Sequence, residues 1–137
     1  MGKCSLGVLV VCALVSSPAS VPAHHAFSAE FDAKMPVTLQ GSVTKIEMVN
    51  PHGWIYIDVK GSDGKVINWA IETGGPNALA RRGVKKGFLP IGQVVIVTGY
   101  RAKDMSYTAA GDQVKFLDGR NFSVGGSAGE GFPGAPR

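Results

Sequence analysis

The fold is decided by a stretch in the middle of the chain, Trp54-Ile55-Tyr56-Ile57-Asp58-Val59-Lys60, Ser62-Asp63-Gly64-Lys65 and Val66-Ile67-Asn68-Trp69-Ala70-Ile71-Glu72. Apolar residues recur at every second position in both flanks, which is the period of a strand with one buried face. The Asp63-Gly64 pair between them is typical of a tight hairpin turn. The stretch therefore predicts an antiparallel hairpin that buries Ile55, Ile57, Trp69 and Ile71.

Further strands and one helix are predicted on either side of this hairpin. Alternation from Val37 to Met48 predicts a first strand, and a change of phase near Thr44-Lys45 predicts a β-bulge in it. A short helix is predicted by Pro76 near its start and by Gly83 directly after Arg81-Arg82. The remaining elements are the helix at 74–83 and strands at 93–100, 112–117 and 121–124.

This order of elements predicts a mainly β fold. Three strands, a short helix and then further strands are typical of a small, OB-like, five-stranded and partly open barrel with the helix between strands 3 and 4. A β-sandwich or an irregular β-roll is the alternative.

The N-terminus has the pattern of a secretory signal. Lys3 precedes an apolar run from Leu6 to Val15, and small residues lead to Ala23, after which we expect cleavage. The run is shorter than a bilayer span, so we expect a periplasmic or secreted product with no membrane span after signal cleavage. The predicted divisions are a signal peptide at 1–23, an N-terminal arm at 24–36, the barrel domain at 37–124 and a disordered Gly/Pro-rich tail at 125–137.

Composition argues against two classes of function. The formal net charge is +4, and the only basic pairs are Arg81-Arg82 and Lys85-Lys86, so a nucleic-acid partner is not expected. Both cysteines, Cys4 and Cys12, precede the predicted cleavage point, and the common hydrolase, phosphate-loop and zinc-protease motifs are absent from the sequence. We therefore expect a protein that is not an enzyme.

The three histidines are the candidate metal ligands. His24 and His25 begin the predicted mature chain, and His52 follows the Asn50-Pro51 turn. Cleavage after Ala23 gives His24 a free α-amine beside its imidazole, and this set of nitrogen ligands suits Cu(II), Ni(II) or Zn(II), with copper binding tightest. Sharing one ion requires the arm to fold back towards His52, which burial of Phe27 and Phe31 against the barrel would achieve. The alternative is that the histidines only follow a processing site and cap a turn.

A second hypothesis uses the barrel surface. Trp54 and Tyr56 alternate with the buried isoleucines and so face outwards, where aromatic rings can stack on a ligand. With Arg101 they are candidates for recognising a protein or a cell-envelope glycan without metal. The alternative is that the two rings pack under the arm or the helix.

Several motifs in a fixed order resemble those of an exported bacterial family, the domain-of-unknown-function family 6152. They are 23–27 (Ala-His-His-Ala-Phe), 30–32, 43–47, Asn50-Pro51-His52, 68–70, 76–79, 82–83 and 99–103. The resemblance covers about Ala23 to Ala128 and implies a secreted location but no reaction. It makes His24, His25 and His52 the best site candidates. Gly53 departs from the larger residue expected after that turn.

Overall fold

The computed structural model describes residues 25–125, with side chains described from Phe27 onward. As predicted, these residues are mainly β. In chain order the elements are α1 (His25–Glu30), β1 (Phe31–Met48), β2 (His52–Lys60), β3 (Val66–Gly74), α2 (Pro76–Arg81), β4 (Val94–Ala102), β5 (Thr108–Phe116) and β6 (Asn121–Ser123). The predicted signal segment, His24 and residues 126–137 of the predicted tail lie outside the described residues.

Five strands form a ring. β1 is 18 residues long, and its first part pairs with β4 while its last part pairs with β2. The β2–β3 hairpin and the β4–β5 hairpin extend the sheet on either side. The ring closes where β3 runs parallel to β5, with Ala70–Glu72 opposite Thr108–Ala110. Within the described residues, β6 pairs with β5 alone and lies outside the ring.

The bend of β1 has a local cause. The β1–β2 register shifts between Val43 and Lys45, which confirms the predicted irregularity near Thr44-Lys45. Just before it, a Cβ atom on Gly41 would lie 2.5 Å from the carbonyl oxygen of Asp58, so only glycine allows the two strands to approach this closely. A bulge and a glycine together let one strand take part in both sides of the ring.

The core fills the inside of the ring. Ile55 and Ile57 of β2 and Ile71 of β3 are fully buried, and Trp69 is 7 % exposed. Ile55 pairs with Ile71 and Ile57 with Trp69, so the predicted hairpin and its buried face are confirmed. Buried residues of the other elements and of the segments that connect or follow them complete the core: Val43, Leu79, Val84, Leu89, Val95, Val97, Ala109, Val114, Phe116 and Val124.

The predicted helix after the third strand is confirmed as α2, although it is shorter at both ends. Leu79 is its buried residue. Gly83 has a φ of 79° and is the C′ residue, as predicted. Its N–H donates to the carbonyl of Ala80, and the N–H of Val84 donates to that of Leu79, which satisfies two carbonyls at the helix end. Neither α2 nor any other helix in residues 25–125 is long and apolar enough to cross a membrane.

Two strands begin at least four residues before the predicted start. β1 begins at Phe31 instead of Val37, because Phe31 pairs with Ala102 of β4 before the regular alternation starts. β5 begins at Thr108 instead of Asp112, because Ala109 and its neighbours pair with both β3 and β4. Alanine and glycine have low strand propensity, so these pairings depend on tertiary structure and leave little trace in the sequence.

Candidate functional site

His52 lies at the first position of β2, directly after the Asn50-Pro51 turn, whose peptide bond is cis. The turn packs tightly against the connection between β3 and α2, because a Cβ atom on Gly75 would overlap the carbonyl oxygen of Pro51. Gly53 is similarly enclosed: a Cβ atom there would lie 2.6 Å from the Thr73 hydroxyl. The backbone on both sides of His52 is thus held by close packing.

The imidazole of His52 contacts the carboxyl group of Glu72. Its Nδ1 lies 2.8 Å from Oε1 of Glu72, and the two side chains are 49 % and 17 % exposed. The strand register explains the contact, because Glu72 pairs with Trp54 and His52 with Gly74, which places both side chains on the outer face of the hairpin. Burial raises the pKa of the Glu72 carboxyl, the nearby His52 lowers it, and the charge of Glu30 raises it.

The N-terminal arm folds back over the outer face of the sheet. Phe31 is 4 % exposed and packs with Ala102 and Ala110. Its ring stacks on that of Phe27 at a centroid distance of 5.7 Å, and Phe27 meets Tyr100 edge to face at 5.9 Å. From Phe27 onward, the arm therefore packs against the sheet through the rings of Phe27 and Phe31.

Hydrogen bonds also hold the end of α1. The backbone N–H of Lys103 donates to the carbonyl of Glu30 at 2.9 Å, and its ammonium donates to the carbonyl of Ser28 at 2.5 Å. Glu30 and Trp54 line the same groove, so the end of α1 lies beside the outer face of β2. A helix rises 1.5 Å per residue, so the backbone of His25 lies about 8 Å from that of Glu30 along the helix axis.

The structure describes the backbone of His25 but not its side chain, and His24 lies outside the described residues. Within the described part of the chain, no group of three or more His, Cys, Asp or Glu side chains could hold a metal ion. His52 and Glu72 alone are too few. The side chains of the other two predicted ligands, His24 and His25, lie outside the described residues.

Trp54 borders an open groove of 390 Å³ beside the end of α1. The tryptophan is partly buried on the outer face of β2, as the alternation predicts. The groove is lined by Ala29, Glu30, Phe31, Trp54, Ala102, Lys103, Asp104, Ser106 and Thr108. Trp54 is thus neither fully covered by the arm nor fully open to solvent.

Tyr56 shares the outer face with Trp54 but has polar partners of its own. Its hydroxyl donates to Oε2 of Glu47 at 2.9 Å, and Oε1 of Glu47 lies 2.5 Å from the Lys45 ammonium. Lys45 also lies 5.3 Å from the centroid of the Tyr56 ring. The hydrogen bond to Glu47 is the main cause that raises the pKa of Tyr56. The pKa of Glu47 is lowered, mainly by its hydrogen bond with Lys45 and then by that with Tyr56.

Arg101 is not on this face. Its guanidinium lies 5.4 Å from the ring centroid of Trp69 and 5.9 Å from that of Tyr107, and it donates to the carbonyl of Met105 at 2.7 Å. Along β4, alternation places Arg101 with the buried Val95 and Val97. The structure therefore brings Trp54 and Tyr56 together and separates Arg101, which holds the loop after β4 at one end of the ring.

Glu72 and Glu30 are the site residues that the sequence does not predict. Glu72 occupies an outward position of the third strand, directly opposite Trp54 in the hairpin register. The turn at Asp63-Gly64 could have indicated this position, because the turn determines which residues of the two strands lie opposite each other. Glu30 carries no such signal, since its place depends on how the arm packs.

The fold and the site define a small protein with a five-stranded ring and a histidine–carboxylate pair at one strand start. The chain belongs to the Family of unknown function (DUF6152), whose family model matches residues 11–111. This confirms the resemblance predicted from the motifs, although the match begins within the predicted signal segment and ends within β5. No curated protein and no solved structure matches the chain.

Proposed function

We propose that this protein is a periplasmic or secreted binding module, not an enzyme, that holds a transition-metal ion, with Cu(II) favoured. The proposed ligands are the α-amine and imidazole of His24, set free by cleavage after Ala23, with the imidazoles of His25 and His52. The ring of strands is the rigid support, and the arm supplies the other ligands.

The observation that carries this proposal is the contact between His52 and Glu72. Imidazoles that bind metals almost always donate their second ring N–H to a carboxylate, a carbonyl or water. Nδ1 of His52 meets Glu72 in this way, and Nε2 has no hydrogen-bond partner among the described residues. One nitrogen is held and the other remains to bind an ion.

The packing of Phe27 and Phe31 supports the same proposal. An arm that is already packed against the sheet loses less conformational entropy when its terminus binds an ion. The end of α1 also lies beside β2, where Glu30 and Trp54 line the same groove, and α1 begins at His25.

Ligand chemistry favours copper. The proposed set has only nitrogen ligands, since both cysteines precede Ala23. At such a site the order of stability places Cu(II) above Ni(II) and Zn(II).

We further propose that the ring is an OB-type barrel. The strand order β1-β2-β3-β5-β4, with α2 between β3 and β4, supports this assignment. Rigid strands around a packed core hold a binding residue more precisely than a loop does, and His52 lies at the start of such a strand.

The second candidate is a module that recognises a protein or envelope glycan without metal. The groove beside Trp54 favours it, because a partly exposed tryptophan in a groove can stack on a sugar ring. Tyr56 lies on the same face, whereas Arg101 is held elsewhere. For this candidate, Trp54→Ala abolishes ligand binding and His52→Ala does not affect it.

Calorimetric titration with Cu(II) distinguishes the two candidates. The test compares a chain that begins at His24 with its His52→Ala variant and with a chain that begins at Val21. The longer chain keeps all three histidines but moves the amine three residues away, so it is the matched control. We expect micromolar or tighter binding of one ion by the first chain and weaker binding by both others. Equal binding by all three contradicts the proposed ligand set.

A further inference from the structure

The carboxylate of Glu72 has an environment that the fold itself does not require. Its side chain is 17 % exposed, and among the described residues its one hydrogen-bonding partner is His52. The neighbouring positions of β3 on the same face, Ala70 and Asn68, show that this face accepts small and neutral residues.

A carboxylate held this way has a cost for stability. Removing a charge from water is unfavourable unless its partners compensate for the loss, and a neutral side chain of similar shape is often as stable or more stable there. A group that costs stability and contacts one candidate ligand is more readily explained by a role in the site than by a role in the fold.

The geometry of the pair defines that role. Nδ1 is the ring nitrogen that faces Oε1 of Glu72, at 2.8 Å. In a neutral imidazole one nitrogen carries the proton and the other carries the lone pair, and a carboxylate partner decides which is which. Nε2, on the opposite side of the ring, is then the nitrogen with the lone pair.

We propose that Glu72 is a positioning residue of the metal site, which holds His52 in the Nδ1–H tautomer so that Nε2 binds the ion. This inference rests on the proposed function and adds to it the ligating atom of His52 and the group that orients the ring. Glu72 does not touch the ion.

The first test needs no metal. Long-range ¹H–¹⁵N correlation spectra of the metal-free protein, recorded at alkaline pH, report which ring nitrogen is protonated. We expect the Nδ1–H tautomer in the wild type and in Glu47→Gln, the control that alters an exposed carboxylate on the same sheet face. Glu72→Ala should convert His52 to the Nε2–H tautomer, the usual form of an unrestrained side chain. An Nε2–H tautomer in the wild type overturns the inference.

The second test measures copper affinity and stability in the same variants. Loss of a group that orients a ligand typically costs 10–100-fold in metal affinity. We expect Glu72→Ala to lose affinity in this range, Glu72→Gln to lose less because its amide oxygen still accepts a hydrogen bond, and Glu47→Gln to lose none. The midpoint of thermal unfolding should stay unchanged or rise in Glu72→Gln, which a purely structural role would not allow.

The outcomes separate the inference from the proposed function. If the wild type does not bind Cu(II), the proposed function fails, whatever the tautomer of His52. If the wild type binds Cu(II) and Glu72→Ala binds it equally well, the proposed function stands and the positioning role of Glu72 is refuted.

Discussion

Replacing Phe31 by alanine tests whether the N-terminal arm is part of the folded structure. Phe31 is 4 % exposed, and its ring stacks on Phe27 and packs on Ala102 and Ala110. The Phe31→Ala change removes a buried apolar contact between the arm and the sheet without altering any proposed metal ligand.

The expected magnitude has two parts. Full burial of a phenylalanine side chain contributes roughly 1.5–3 kcal/mol, and a stacked aromatic pair adds about 0.5–1.5 kcal/mol. We expect Phe31→Ala to lower the free energy of unfolding by about 2–4.5 kcal/mol. That range begins below the roughly 3–5 kcal/mol for Phe→Ala in protein cores, because α1 can detach and leave no cavity.

Urea unfolding followed by tryptophan fluorescence measures this change. The matched variants are Phe27→Ala, the double variant, and Leu117→Ala at a side chain that is 63 % exposed. The double-mutant cycle should give a coupling of about 0.5–1.5 kcal/mol between the two rings. Leu117→Ala should change stability by less than about 0.5 kcal/mol.

The same variant connects the arm to metal binding. If α1 detaches, its residues must be ordered again when the terminus binds an ion, so Cu(II) affinity should fall at least about tenfold in Phe31→Ala. A loss of stability below about 1 kcal/mol, with no change in Cu(II) affinity, would refute the argument that the packed arm supports the site.

Three further predictions concern the sheet and its charges. Gly99→Ala should lower the free energy of unfolding in urea by at least about 2 kcal/mol, because the added Cβ would overlap a backbone carbonyl of β5. Gly119→Ala, in open space at a φ of 95°, should lower it by only about 1 kcal/mol. Equal losses in the two variants would contradict the ring geometry. Tyr56, whose pKa is raised chiefly by Glu47, should titrate above its ordinary value in absorbance at alkaline pH, and Glu47→Gln should lower that pKa; an unchanged curve would show that the hydrogen bond is absent in solution. Asp112 has a raised pKa, chiefly through burial, so its neutral form stabilises the fold at low pH and this contribution is lost as the pH rises through the raised value. Stability measured from about pH 4 upward should therefore fall less steeply in Asp112→Asn than in the wild type, and parallel curves would refute this assignment.

The hairpin shows how much of this fold the sequence determines. Ile55, Ile57, Trp69 and Ile71 have a period of two and an Asp-Gly turn between them, and local sequence of this kind predicts strands, register and buried face together. The bulge near Thr44-Lys45 and the C′ role of Gly83 are predictable for the same reason, since each depends on a few neighbouring residues.

The closure of the ring is harder to predict. β3 and β5 pair over Ala70–Glu72 and Thr108–Ala110, and small residues in that pairing carry little strand signal. Long-range pairing of this kind depends on how the whole sheet bends.

The candidate site is predicted only in part. His52 is a candidate because its turn is local in sequence, whereas its partner Glu72 lies 20 positions further along the chain and is identified only through the strand register. Arg101 illustrates the opposite case. Its alternation with Val95 and Val97 already indicates an inner position, so its separation from Trp54 and Tyr56 could have been predicted from β4 alone.

The central claim is that one ion contacts both the N-terminal histidines and His52. Amide NMR spectra of the chain beginning at His24, with a small fraction of an equivalent of Cu(II), test it most directly, because the unpaired electron broadens signals of nearby nuclei. We predict that the amide signals of His25 to Phe27 and of His52 to Trp54 broaden together, while those of the Asp63-Gly64 turn stay sharp. Broadening at the arm alone, with His52 unaffected, would contradict the shared site.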